Sequence, residues 1–233
     1  NISGTPNFIE ATGGTVLTCG NFKTHVFTSD SNFVVTNAGA PGGSTTIDYT
    51  VIAGGAGGGS GTGPAYMGGA GGAGGFRLSN SVGCIAAPVM SPLANPTGVT
   101  VSEQSYPIVI GAGGAKAPAD STAGNNGSTS SGFSISSAGG GGGAAGGGTP
   151  EAGTPGGSGG GSTQGQPAGS GNTPPVSPPQ GNNGGVGAPG NTNSGAGGGG
   201  AGAVGSNSPS PSSGGAGGIG SFISDSAFGP TAP

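Results

Sequence analysis

The chain has 233 residues, 63 of them glycine and 20 proline, with no tryptophan. Only 4% of residues are charged and the net charge is -4 with three basic residues. This excludes a large apolar core, for want of side chains to offset chain entropy, and argues against phosphate-backbone binding to nucleic acid. No apolar run reaches the roughly 18 residues of a membrane-spanning helix. No secretory leader is visible, and the first residue is Asn1 rather than Met, which reads as a processed product or a section of a longer protein.

Residues 1–53 are the least glycine-rich part and are expected to form a small antiparallel β unit of three or four strands. KTHVFT (23–28), NFVVT (32–36) and TIDYTVI (46–52) have strand composition. In the last, Ile47, Tyr49 and Val51 are expected on one face and Asp48 and Thr50 on the other. TSDSN (28–32) is read as the turn joining the first two strands, and NAGAPGGS (37–44) as a looser one. His25 alternates with its neighbours as a solvent-facing strand residue. Cys19 and Cys84 form one bridge or remain two thiols, since spacing does not decide.

From residue 54 to 233 the chain alternates glycine tracts with polar, proline-bearing connectors. The tracts include 54–59, 68–75, 139–148, 156–161, 195–202 and 214–220; the connectors include NTPPVSPPQGNN (172–183) and SNSPSPSS (206–213). No segment has a helical apolar period, so essentially no α-helix is expected.

Glycine tracts read either as flexible linkers or as a packed layer of polyglycine II helices. The second is an extended form with three residues per turn, about 3.1 Å rise and no internal hydrogen bonds, so its amides and carbonyls are free to pair between neighbours. Ordering glycine costs more backbone entropy than any other residue, so only many tracts side by side can form it cooperatively. The joins favour the layer. Strand-like DYTVI (48–52), YPIVI (106–110) and FSISS (133–137) each run straight into glycine, a repetition that linkers do not require. On this reading a bulky side chain is excluded at Gly141, inside a tract, and tolerated at Gly181, in a connector.

GVGAPG (185–190) matches a dinucleotide-binding pattern by chance at this glycine content, and GAGGAKA (111–117) lacks the ending of a phosphate-binding loop. The seven acids are scattered, and His25 is the single histidine, so no catalytic residue, metal site or cofactor is expected. Asn1-Ile2-Ser3 and Asn126-Gly127-Ser128 match the glycosylation pattern without further support. Tyr66, Met67, Phe76 and Arg77 are the bulk surviving around the 68–75 tract. They are the candidates for contact with a receptor or a neighbouring subunit, against the plainer reading that they fill gaps at the lattice edge.

The run ATGGTVLTCGNFKTHVFTSDSNFVVT (11–36), with TTIDYTVIAGGAGGG (45–59), GGAGGFR (71–77), YPIVIGAGGA (106–115) and NTPPVSPPQGNNGG (172–185), resembles the glycine-rich proteins of tailed bacteriophages, marine phages especially. The resemblance covers nearly the whole chain. It implies a tail-fibre or other virion structural protein, and it extends to phage adhesins, in which polyglycine helices form a rigid sandwich and the connecting loops meet the host receptor. Those loops carry aromatics; the later connectors here have none. The expectation is a non-enzymatic, homo-oligomeric virion appendage, with other virion proteins and a host surface receptor as partners. The alternatives are a cellular extracellular filament or matrix protein, and third an ice-binding protein.

Overall fold

The computed structural model describes residues 8–19, 22–40, 43–62, 66–81, 91–147, 151–190 and 194–223. The question of a Cys19–Cys84 bridge lies outside what these residues describe. Among them there is no α-helix; the regular elements are twelve short strands, β1 (Ile9–Thr12) to β12 (Ile135–Ser137).

The β unit is built around β4 (Ser31–Ala38), whose alternate residues Phe33 and Val35 are buried. β4 lies between β1 and β10 (Ser105–Ile108), antiparallel to both, so its sheet draws a strand from well beyond residue 53. Phe33, Val35, Val101 and Ile108 form the core, flanked by Phe27, Tyr106 and Phe133. β2 (Thr15–Cys19) and β3 (Phe22–Val26) form a separate hairpin. The bend at 28–32 therefore joins β3 to β4 without making them partners.

The expected single strand at 46–52 is two. β5 (Thr46–Ile47) pairs with β9 (Val99–Thr100), and β6 (Thr50–Ile52) pairs with β7 (Phe76–Ser79). Asp48 causes the break. Its Oδ1 accepts from the Ser79 hydroxyl at 2.7 Å and the Ser81 amide at 2.9 Å, while the Tyr49 amide donates to Ser79 Oγ at 3.0 Å. The Ser79 amide still donates to the Tyr49 carbonyl at 2.9 Å, but the return bond from the Tyr49 amide goes to a side-chain oxygen where a ladder would have continued. His25 is also corrected: it is half-buried, its Nδ1 is 2.7 Å from the Gly13 carbonyl, and its ring stands edge-on to Phe33 at 5.0 Å. Aromatic contact holds it against the sheet.

Beyond the strands the glycine tracts are ordered by hydrogen bonds between tracts. Tract 53–60 shows the rule. Ala53, Ala56 and Gly59 donate to Gly75, Gly72 and Gly69, whereas Gly54, Gly57 and Ser60 donate to Ser128, Asn125 and Thr122. The carbonyls of Gly54, Gly57 and Ser60 accept from Gly140, Gly143 and Gly146, and those of Gly55 and Gly58 from Gly114 and Ala117. Each neighbour is met every third residue, and one tract bonds four neighbours. A β-strand has period two and two neighbours.

The same rule connects most of the other tracts into two rows, with segments 153–156 and 167–172 bonded to the far side of the second. One row runs 111–117, 53–60, 68–75, 195–201, 203–208; the other runs 122–128, 138–146, 156–162, 181–187, each tract bonded to the next and to the row facing it. Segment 214–220 lies on the outer side of the first row, over 195–201 and 203–208.

Glycine is required by this spacing. A Cβ on Gly54 would land on the Ala112 carbonyl oxygen, on Gly72 on that of Ser158, and on Gly141 on that of Thr154. Gly181 behaves in the same way: its Cβ would collide with the Gly157 carbonyl and the Ser158 hydroxyl. The expectation that Gly181 tolerates bulk is therefore corrected. The connector is drawn in by Gln180, which is 1% exposed, accepts the Ala138 amide and donates to the Pro174 carbonyl, both at 2.8 Å. Gly181 thereby begins a tract.

Candidate functional site

Tyr66 and Met67 enter tract 68–75 and Phe76 and Arg77 leave it. Eight residues at about 3.1 Å each put roughly 25 Å between the two pairs, so they do not make one site. Met67 is 49% exposed and Tyr66 is half-buried. Phe76 is 8% exposed and packs with Leu78 and Ala201, with Leu93 and Ile223 against them. It fills the end of the lattice. Arg77, on the adjacent face of β7, reaches Ser136 and donates from Nη1 to its carbonyl at 3.2 Å. Of the four, Met67, Tyr66 and Arg77 retain accessible surface.

A second place has more relief, and the sequence did not single it out. An open cleft of ≈ 630 Å³ runs between the 99–107 segment and the hairpin around residues 131–136, with Tyr106 and Phe133 among its walls. Phe133 and Ser134 form the two-residue turn between β11 (Ser130–Gly132) and β12, both in the left-handed region at φ 54° and 64°. This matches the twist of a tight hairpin and costs a bulky residue strain, since non-glycine residues rarely adopt it. Aromatic packing holds Phe133 there, 5.3 Å from Phe33 and 5.0 Å from Tyr106, ring centre to ring centre. The sequence signal was present in the alternation of Tyr106, Ile108 and Ile110, but its partner strand is seventy residues upstream.

The Tyr106 hydroxyl accepts the Ser102 amide at 2.8 Å and lies 3.3 Å from the Ser102 hydroxyl. The hydrogen bonds with Ser102, side chain first and then backbone, hold its pKa below the usual tyrosine value, with a smaller contribution from Gln104. The acids act as caps on the backbone: Asp30 Oδ1 accepts the Ile110 amide at 2.8 Å, as Asp48 does that of Ser81. Among the described residues no group of three His, Cys, Asp or Glu side chains is placed to hold a metal, and no helix is long and apolar enough to cross a membrane. What the molecule offers chemically is backbone: rows of amides and carbonyls at three-residue spacing, bordered by a few larger side chains.

A glycine-rich domain family matches residues 28–231. No curated protein matches the chain, and no solved structure matches it.

Proposed function

The chain belongs to the glycine-rich domain family, and from that premise we propose that it is a non-enzymatic structural protein, a tail fibre or fibre-like appendage of a virion. The supporting observation is the inter-tract hydrogen bonding of period three, which fits polyglycine II helices packed as a stiff scaffold. Such an interior holds bare backbone and methyl groups already paired to one another, so it discriminates no ligand. Contact with other virion proteins or a host surface falls to the borders, where loops carry larger side chains. Met67, Tyr66 and Arg77 remain the candidates there, and the Tyr106–Phe133 cleft joins them.

The competing reading is a cellular extracellular filament or matrix protein assembled through the same tracts. Immuno-electron microscopy with an antibody to this chain separates the two. Label on the tail appendages of virus particles supports the virion reading, label along cell-surface filaments supports the rival, and label on neither overturns both. A Tyr66→Ala/Met67→Ala/Arg77→Ala variant assayed for host adsorption and particle assembly then tests the contact residues. Unchanged adsorption and assembly in a folded variant would remove them from the contact surface.

A further inference from the structure

Two neighbouring tracts of one row enclose a groove on each side. The groove between 195–201 and 203–208 is filled on both sides. Segment 181–187 occupies the inner side. On the outer side, Gly215 and Gly218 of segment 214–220 donate to the carbonyls of Gly195 and Gly198 at 3.0 and 2.9 Å, and the segment's Ala216 and Ile219 carbonyls accept the amides of Ser206 and Ala203. One wall supplies acceptors and the other donors.

The groove between 53–60 and 68–75 has the same walls and is filled on one side. Tract 138–146 occupies the inner side. On the outer side the carbonyls of Ala53, Ala56 and Gly59 and the amides of Gly71 and Gly74 have no hydrogen-bond partner among the described residues. These two rows lie along one seam, for a Cβ on Gly74, Gly71 or Gly68 would meet the carbonyl oxygen of Ala53, Ala56 or Gly59. The result is an acceptor wall facing a donor wall, unpaired, as at the edge of an open sheet.

The residues whose Cβ direction looks into each outer groove distinguish this one. In the filled groove they are Gly197 and Gly200, where a Cβ would strike Ala216 and Ile219 of the occupying segment. Between 68–75 and 195–201 they are Ala70 and Ala73, both exposed, whose methyls obstruct entry. Between 111–117 and 53–60 they are Gly113 and the exposed Lys116. In the unfilled groove they are Gly55 and Gly58. Neither has φ in the left-handed region, and a Cβ there would meet nothing closer than 3.9 and 3.6 Å. Nothing among the described residues requires glycine at these two positions. Glycine at the equivalent positions of the filled groove is required by the segment lying in it.

We infer that the outer groove between 53–60 and 68–75 binds a glycine tract of a second copy of this chain, and that the tract is 214–220. An occupant must be bare backbone of the same three-residue period, because any side chain on its inner faces would hold it off both walls. Segment 214–220 already makes this contact within its own molecule, and it has a further bare stripe: at Gly217 and Gly220 an added Cβ would have nothing within 4 Å. That stripe, a different face from the exposed Ala216 and Ile219, is thus free to enter a neighbour's groove while the near side stays on its own. Donor and receiver are different surfaces, so two copies either exchange tracts across a two-fold axis or pass them on head to tail. The inference is independent of whether the chain resides on a virion.

Two variants of the full chain test it by sedimentation velocity. Gly55→Val/Gly58→Val blocks the groove and Gly217→Val/Gly220→Val blocks the tract; all four positions have room for a side chain in the isolated fold. Gly113→Val is the control on the neighbouring groove. The expected result is concentration-dependent association of the wild type and of Gly113→Val, and monomers of each double variant with an unchanged circular-dichroism spectrum. Mixing the two double variants restores one complementary pair of surfaces, so a 1:1 dimer that grows no further is expected. A wild type that stays monomeric at millimolar concentration overturns the inference, and so does a blocked variant that associates like the wild type. If the mixture stays monomeric while the wild type associates, the occupant is not 214–220 and the inference fails as stated. Protection of the Gly71 and Gly74 amides in a strictly monomeric wild type would place a segment of the same chain in the groove and likewise overturn it.

Discussion

Ala53 donates its amide to the carbonyl of Gly75 at 3.0 Å, one step beyond the point where Ile52 faces Phe76 in the β6–β7 ladder. The register is unbroken: Ala56 then meets Gly72 and Gly59 meets Gly69. What changes at this residue pair is the period, from two to three. The strand pair sets alignment and direction, and the glycine that follows keeps the alignment while giving up side chains. One amide in three stays on the paired tract, and the remaining amides and carbonyls turn to other neighbours.

Amide exchange should record that period. Within 53–60, the amides of Ala56 and Gly57 are bonded to two different tracts, whereas those of Gly55 and Gly58 have no partner among the described residues. Hydrogen exchange by NMR is expected to show two protected amides followed by one fast one, repeating. Protection of every second amide would indicate a β-ladder, and uniformly fast exchange a flexible linker.

Bulk should be tolerated by position and not by composition. Gly141→Val places its side chain on the Thr154 carbonyl, and Gly181→Val on the Gly157 carbonyl. Each is expected to lose at least about 2–3 kcal/mol in denaturant unfolding, from several broken inter-tract bonds. Gly113→Val, with 3.7 Å to its nearest neighbour, should stay within about 0.5 kcal/mol of the wild type. Equal, small effects at all three sites would contradict a packed lattice.

Gln180 is the residue that ties the proline-rich connector to the lattice, through the Ala138 amide and the Pro174 carbonyl. Gln180→Ala leaves that buried amide unpaired and is expected to cost about 1–3 kcal/mol. Limited proteolysis should then cut within 172–180 in the variant and not in the wild type; identical digestion patterns would show that other contacts hold the connector.

The Tyr106 phenol should ionise below the ordinary tyrosine range, near 10, because Ser102 and Gln104 hydrogen bonds favour the phenolate. With the folded pKa depressed, the associated stability is present above the unfolded pKa and is lost as pH falls through the folded value. Absorbance titration at the phenolate band, comparing wild type with Ser102→Ala, should give a higher midpoint in the variant. The same midpoint in both would remove the Ser102 hydroxyl as the cause and leave its backbone amide.

The joins were legible in the sequence because they are local: strand composition followed by glycine- and alanine-only chain from Ala53, Gly111 and Ala138 marks where the segments of β6, β10 and β12 hand over to tracts. The pairing of β10 with β4 was not legible, since it depends on a partner seventy residues away. Neither was the break at Asp48, whose carboxylate finds its partners, Ser79 and Ser81, in another segment. Gly181 read as connector because its neighbours are proline, serine and asparagine. Its confinement comes from tract 156–162 beside it. Of the candidate contacts, exposure at Met67 and burial at Phe76 are set by what packs beyond each end of the tract, a non-local fact.

If the glycine tracts are threefold extended helices bonded to one another, a crystal structure that resolves the backbone will record it in the dihedral angles. Across 68–75 and 139–147, φ near -75° and ψ near +145° are expected at successive residues, within the usual scatter. Angles scattered over the map, or φ near -140° with paired ladders of period two, would contradict it.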